Sequence, residues 1–298
     1  FDSATPSVHR LLRGHTLEVQ CLSFVQHARG RQLLCSSGRD RFLRLWDYTS
    51  GSELCCWAVP PSRRRSRGVS RDESKERIWL THCFSASSAP SECSSDTPLE
   101  LVSTTHHGDL LLWKINSQTW EVQTTPQSFT SSGRAQAIFQ ICPCSAGEVV
   151  TVSSDRQIVL WCTRKLATKW TLSTIGGHLY SMSLQGPDAD TVALGCGDNL
   201  IRLWNIENST CRTIWKGISA RVTAVRWHNT RDRLLAYGLE DGTLALFDIC
   251  KEKSTILSKA TGRPIAALRW VANKHALSIL ALVDDGSLFC YSMKDSEC

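Results

Sequence analysis

Six aromatic residues punctuate this chain at Trp46, Trp113, Trp161, Trp204, Phe247 and Tyr291, at separations of 67, 48, 43, 43 and 44 residues. Six positions ahead of them stand Asp40, His107, Asp155, Asp198, Asp241 and Asp285. A unit that recurs at such a period folds as one supersecondary element, which buries its apolar faces against the next copy. Between Asp and aromatic the residues alternate, as in Phe42, Leu43, Arg44, Leu45, Trp46 and again in Leu200, Ile201, Arg202, Leu203, Trp204. That is the two-residue period of a strand. The Asp marks a tight turn, where a short carboxylate bonds nearby backbone N–H groups. Upstream lie the small or apolar runs LLCSSG, LELVST, EVVTVSS, TVALGCG, RLLAYG and LSILALV, which read as central strands covered on both faces. The runs VQCLSF, WLTHCF, AIFQIC, LYSMSL, VTAVRW and IAALRW read as the first strands.

A period of about 40–45 residues closing on a Trp-Asp-like pair resembles the WD40 repeat, in which each copy supplies one four-stranded propeller blade. The expected fold is therefore all-β, a WD40 β-propeller with six four-stranded blades visible. The first repeat also carries Gly14-His15, whose His can join a Ser, an Asp and the marker Trp in a buried hydrogen-bond chain. The candidates are His15, Ser36 or Ser37, Asp40 and Trp46, and the expected tetrad is His15, Ser37, Asp40, Trp46. Later repeats lack the Gly-His pair, so they are degenerate copies.

Composition narrows the class. The 298 residues are 42% hydrophobic and 21% charged, which is ordinary for a water-soluble domain. No run reaches the roughly 18 apolar residues of a membrane-spanning helix. The chain starts at Phe1 with no signal-peptide pattern, so the sequence reads as a piece of a longer protein. Fourteen cysteines are scattered along the strands without a CxxC or a Cys/His cluster of zinc spacing. Small buried thiols of this kind imply a reducing compartment, cytoplasmic or nuclear. No metal and no cofactor is expected. The motifs GxSxG, HExxH, GxxxxGKS/T and a strand–helix GxGxxG are all missing, so an enzyme is not expected either.

The net charge of +6 is mild, but its distribution is not even. Arg63, Arg64, Arg65, Arg67, Arg71, Lys75 and Arg77 crowd an insertion over residues 61–77, and a Ser- and Pro-rich loop covers 85–98. Both are expected to be loops, and a charged run of this kind is most simply a solvated face. Propellers bind ligands on the face built by the segments entering each first strand and by the turns between second and third strands. Those positions carry Glu18, Arg77 with Trp79, Arg134 with Gln136, His178, Arg221 and Arg263, and Arg39 with Arg41, His106 and Arg156. Tyr180 lies close by in sequence. Guanidinium groups pair with phosphates, and aromatic rings stack on unpaired bases. The set fits single-stranded RNA; a protein-interaction scaffold using the same face is the alternative, and propeller folds host both.

Longer strings are more specific than the repeat. KERIWLT (75–81), SSDRQIVLW (153–161), KWTLSTIGGHLYSMSL (169–184), GDNLIRLWN (197–205) and WKGISARVTAVRWH (215–228) together resemble the gemin five family, the large WD-repeat subunit of the survival-of-motor-neuron (SMN) complex. The resemblance implies two tandem seven-bladed propellers. Residues 1–175 would be the last three blades of the first, and residues 176–298 the first three blades of the second. It also implies recognition of the uridine-rich Sm site of small nuclear RNA precursors for spliceosomal snRNP assembly, with other SMN-complex proteins as partners. Cytoplasm and nuclear bodies are the implied locations.

By the same resemblance Trp79 would stack on RNA and Arg156 would lie against it. His178 stands where the family has a stacking Phe. Gln136 stands where the family has an Arg, with Arg134 two residues away. Ala266 replaces a family Tyr, and the cap-binding residues fall outside the chain. The expected RNA-binding set is Trp79, Arg156, His178, Tyr180, Arg134, Gln136, Arg221 and Arg77.

Overall fold

A computed structural model describes residues 11–26, 32–60, 80–85, 98–105, 108–129, 137–144, 147–173, 177–186, 190–228, 231, 233–273 and 276–293. Every regular element among them is a β-strand. The chain forms two compact units, residues 1–148 with 162–168, and residues 149–161 with 169–298.

Each repeat becomes one antiparallel meander. The first sheet runs β1 (Val19–Gln26), β2 (Gln32–Gly38), β3 (Phe42–Asp47), β4 (Glu53–Ala58). The second runs β5 (His82–Phe84), β6 (Leu99–Thr104), β7 (Leu110–Ile115), β8 (Gln127–Phe129), and the third β9 (Ile138–Pro143), β10 (Glu148–Ser153), β11 (Gln157–Cys162), β12 (Ala167–Ser173). The fourth is β13 (Leu179–Leu184) to β16 (Thr210–Trp215) by way of β14 (Thr191–Cys196) and β15 (Ile201–Asn205). The fifth is β17 (Val222–Trp227), β18 (Leu234–Leu239), β19 (Leu244–Asp248), β20 (Lys253–Ser258). The sixth has three described strands, β21 (Ile265–Asn273), β22 (Ala276–Val283) and β23 (Leu288–Met293).

Strand alternation explains how the sheets stack. In the first unit, Leu33, Cys35, Leu43 and Leu45 turn one face of the first sheet onto Leu99, Leu101, Leu111 and Trp113 of the second. In the second unit, Leu235 and Tyr237 of β18 pack toward Ile201 and Leu203 of the fourth sheet. Ala236, between them in sequence, packs with Leu244 and Leu246 toward Leu268, Trp270 and Ile279 of the sixth. β18 is therefore buried along its whole length, as a strand covered on both faces must be. The outermost strands β16 and β20 are largely exposed. Side chains also tie neighbouring first strands together: Ser181 and Ser183 accept the N–H groups of Val225 and Trp227 at 3.1 and 3.0 Å.

The turn between second and third strands carries a left-handed residue at the same offset in all six sheets. The residue five before each marker is left-handed: Arg41 (φ 67°), Gly108 (82°), Arg156 (67°), Asn199 (61°), Gly242 (86°) and Gly286 (87°). The preceding Asp holds the turn as expected, Asp40, Asp241 and Asp285 each accepting the N–H two residues on, at 3.2, 2.8 and 2.9 Å. Among the described residues, two sheet faces carry exposed apolar side chains. Leu22 and Phe24, on the side of the first sheet away from the second, are 57% and 55% exposed. Leu282 and Leu288 are exposed on the side of the sixth sheet away from the fifth.

Candidate functional site

The hydrogen-bond chain of the first sheet is complete. Trp46 Nε1 donates to Ser36 Oγ at 2.8 Å, Ser36 Oγ lies 2.8 Å from His15 Nε2, and His15 Nδ1 donates to the Asp40 carboxylate at 2.9 Å. The serine is Ser36, which corrects the expected Ser37. Ser36 shares a face with Leu34, the cross-strand partner of Trp46, whereas Ser37 points the other way. Ser37 Oγ instead donates to the Leu80 carbonyl at 2.9 Å. A Cβ at Gly38 would come within 2.6 Å of the His15 ring, so the glycine makes room for the chain.

The marker bond recurs where a hydroxyl stands ten residues earlier. Trp113 Nε1 donates to Ser103 Oγ and Trp161 Nε1 to Thr151 Oγ1, both at 2.8 Å. Trp204 has Leu194 at that offset, and its Nε1 is buried with no hydrogen-bond partner among the described residues. This hydroxyl spacing was present in the sequence and marks which repeats keep the bond.

The two expected loop sets do meet. In each case the turn after the second strand donates an N–H to the segment entering the first: Arg39 to Glu18 O, Gly197 to His178 O, Glu240 to Arg221 O, Asp284 to Pro264 O, at 2.7–3.0 Å. The entering segments and the turns therefore share one edge of each of these four blades. In the second unit, the fourth to sixth blades stand side by side, so His178, Arg221 and Arg263 line a common edge, all exposed.

Four of the six first strands also open with an irregularity that frees the second residue from the ladder: Gln20, Tyr180, Thr223 and Ala266. A bulge re-aims the side chain it carries. Gln20 and Thr223 use this freedom to reach the next blade, accepting Leu80 N–H and donating to Ile265 O at 2.8 and 2.7 Å. Tyr180 instead stays 40% exposed, with its ring against Gly197, where a Cβ would come within 2.8 Å of Cε2. Gly197 thus lets an aromatic ring lie on the turn backbone. Asp198, next to it, is held by Arg202 through two bonds of 2.9 and 2.6 Å. The Arg202 bonds hold the Asp198 carboxyl below the ordinary carboxylate range, although burial opposes this. Neither Gly197 nor the Asp198–Arg202 pair was identifiable as part of the site from the sequence. The shared register of turn and first strand brings them there.

Arg221 pairs with Glu240 at 3.2 Å, and both side chains are about half exposed. Such surface pairs are weak, so a phosphate can replace the carboxylate. Arg156 is exposed and occupies the left-handed turn of the third sheet. Ala266 is exposed on the sixth blade and has no ring to stack. Trp79, Arg77, Arg134, Gln136 and His106 lie outside the described residues, as does the whole of the basic insertion. Among the described residues, no group of three or more His, Cys, Asp or Glu is placed to hold a metal ion. A cavity of about 150 Å³ lined by Thr191, Leu203, Asn205, Thr210 and Arg212 lies at the opposite end of the fourth blade.

Repeated four-stranded meanders, a shared left-handed turn and the Trp–Ser–His–Asp chain define a WD40-repeat β-propeller protein. The WD domain, G-beta repeat family model matches residues 6–47. Over 270 residues, 87% of its length, the chain is 30% identical to human Gem-associated protein 5, with the same figures for the mouse protein. It is 25% identical over 324 residues to Component of gems protein 5 of Dictyostelium discoideum. The chain is thus a WD40-repeat homologue of Gem-associated protein 5. It spans 17% of the length of the two mammalian relatives.

Proposed function

We propose that this region is a non-catalytic WD40 platform of an SMN-type complex that binds single-stranded, uridine-rich RNA. Its ligand in this reading is the Sm site of small nuclear RNA precursors, and its role is spliceosomal snRNP assembly in the cytoplasm and nucleus. The observation that carries it is the edge of the second unit. There the exposed Tyr180 ring rests on Gly197 beside the exposed His178, Arg221 and Arg263, supplying a stacking surface together with phosphate partners. The homology to Gem-associated protein 5 supports the reading. So does Arg156: a left-handed backbone costs a non-glycine residue about 1–2 kcal/mol, and three of the other five blades use glycine there. Residues 1–175 and 176–298 are read as parts of two tandem propellers, with further SMN-complex proteins as partners.

Fluorescence anisotropy with a uridine-rich oligonucleotide and the full-length protein tests this. Loss of one base stack is worth about 1–3 kcal/mol, so Tyr180→Ala and Trp79→Ala are each expected to weaken binding about five- to a hundredfold. Arg156→Gly should weaken binding while leaving thermal stability nearly unchanged, because relief of the left-handed backbone offsets glycine's greater chain entropy. Unchanged affinity in all three variants would reject the RNA reading. A partner pull-down that survives nuclease treatment would then point to a protein ligand on this edge.

A further inference from the structure

The fourth blade differs from its neighbours at the end away from Tyr180. Thr191 opens β14, Asn205 closes β15 and Thr210 opens β16, and the ladder sets the three side by side on one face. Leu203 and Arg212, the next cross-strand pair on that face, complete the lining of the cavity of about 150 Å³. At the ladder positions of Thr191 and Asn205, the first and fifth sheets carry Leu33 with Asp47 and Leu234 with Asp248. The second sheet carries Glu100 with Lys114 there. In the sixth, Ser278 and Ser292 bond each other at 3.1 Å. Where the fourth sheet has Arg212, the first, second and fifth have Cys55, Gln127 and Thr255. The fourth blade thus sets a hydroxyl, an amide and a guanidinium where the first and fifth set a buried leucine, a carboxylate and an uncharged side chain.

Hydrogen bonds around the cavity fix what each lining group has left to offer. Asn205 Oδ1 accepts the Asn208 N–H at 3.0 Å, which leaves the amide NH₂ as a double donor. Among the described residues, no acceptor meets that NH₂, the Thr191 hydroxyl or the Arg212 guanidinium. Asp190 and Glu207, the acidic residues nearest in sequence, are exposed and form no ion pair with Arg212. Thr210 is the opposite case. Its hydroxyl donates to Asn208 Oδ1 at 2.6 Å, so it has only lone pairs left.

We propose that this cavity binds a phosphoryl group that keeps one proton, either as the free ion or on a phosphorylated side chain. The Arg212 fork, the Asn205 NH₂ and the Thr191 hydroxyl supply donors for the unprotonated oxygens. Thr210 Oγ1 accepts the proton of the remaining oxygen. Leu203, 5% exposed, forms an apolar floor. Sulfate has no proton to give at pH 6, and neither has a phosphodiester, so each leaves the Thr210 lone pair unmet. The cavity therefore differs from the Tyr180 edge in ligand as well as in position.

Hydrogen-exchange mass spectrometry of the full-length protein tests this at about pH 6, near the second pKa of a phosphate ester. Inorganic phosphate is the probe, and chloride holds the ionic strength constant. A ligand at ten times its Kd slows exchange through opening of its site about tenfold. Phosphate is expected to slow peptides covering residues 190–212 by about that factor at saturating concentration, and sulfate clearly less. Arg212→Gln removes the cation from an exposed position. Asn205→Asp restores the carboxylate of the first and fifth sheets and keeps the turn bond that Asp47 and Asp248 make. Both variants should abolish the phosphate effect with an unchanged circular dichroism spectrum. Stronger protection by a capped phosphoserine peptide than by phosphate identifies a modified partner as the source; weaker protection identifies the free ion. No phosphate effect, an equal effect in Arg212→Gln, equal protection by sulfate, or Arg212-dependent protection by a uridine oligonucleotide overturns the proposal.

Discussion

The marker tryptophans show how one hydrogen bond separates copies that look alike in sequence. Trp161 donates to Thr151 inside the core, whereas Trp204 is fully buried with an Nε1 unpartnered among the described residues. A buried donor left unmade costs about 1–3 kcal/mol. Trp204→Phe removes that cost along with some packing, so it should lower stability less than Trp161→Phe by about 1–2 kcal/mol in urea denaturation. Equal losses would mean that the bond contributes little. Asp40 carries a pH-dependent contribution. Its burial raises its pKa, but bonds from His15, Thr16 and Phe42 outweigh this and hold it below the ordinary carboxylate value. The folded state therefore binds this proton less readily than the unfolded chain. The resulting stability is intact above about pH 4 and is lost as pH falls through the depressed folded value. Asp40→Asn should flatten the acid limb of a stability–pH curve; an unchanged limb would show that Asp40 contributes nothing to it.

At the scale of the element, the recurring object is a bulged first strand facing a left-handed turn. The left-handed position accepts Gly, Asn or Arg without changing the turn, because the Asp ahead of it and the paired strands around it hold the backbone. The bulged position then decides what each blade offers: Gln20 and Thr223 spend their polar groups on the next blade, Tyr180 presents a ring, and Ala266 presents nothing. Gly197→Ala should displace the Tyr180 ring, since the new Cβ meets both the ring and the His178 carbonyl. Affinity for uridine-rich RNA should fall with little loss of secondary structure by circular dichroism. Retained affinity would show that the ring adjusts or is not used. The Asp-to-aromatic offset was readable because the turn is a local device. Ser36 and Ser37 could not be told apart by type; the ladder register separates them, placing one against Trp46 and the other against His82.

On the scale of the whole molecule, exposed apolar side chains among the described residues include a group on the side of the first sheet away from the second and another on the side of the sixth away from the fifth. Leu22, Phe24 and Tyr48 are exposed on one, with Phe24 and Tyr48 in edge-to-face contact at 5.6 Å, and Leu282 and Leu288 on the other. Exposed apolar patches drive association. Leu22→Lys with Phe24→Lys should reduce light scattering of a concentrated solution of residues 1–298 without lowering its melting temperature; undiminished scattering would place the sticky surface elsewhere. The all-β architecture, the number of repeats and the turn chemistry were determined by the sequence alone, because period-two burial and short Asp turns act within a few residues. Which serine completes the tetrad, which bulged residue carries an exposed ring, and which reaches across to the next blade were decided only by tertiary structure. Those contacts join residues up to about sixty positions apart, and a shift of one residue in register turns every side chain of a strand to its opposite face.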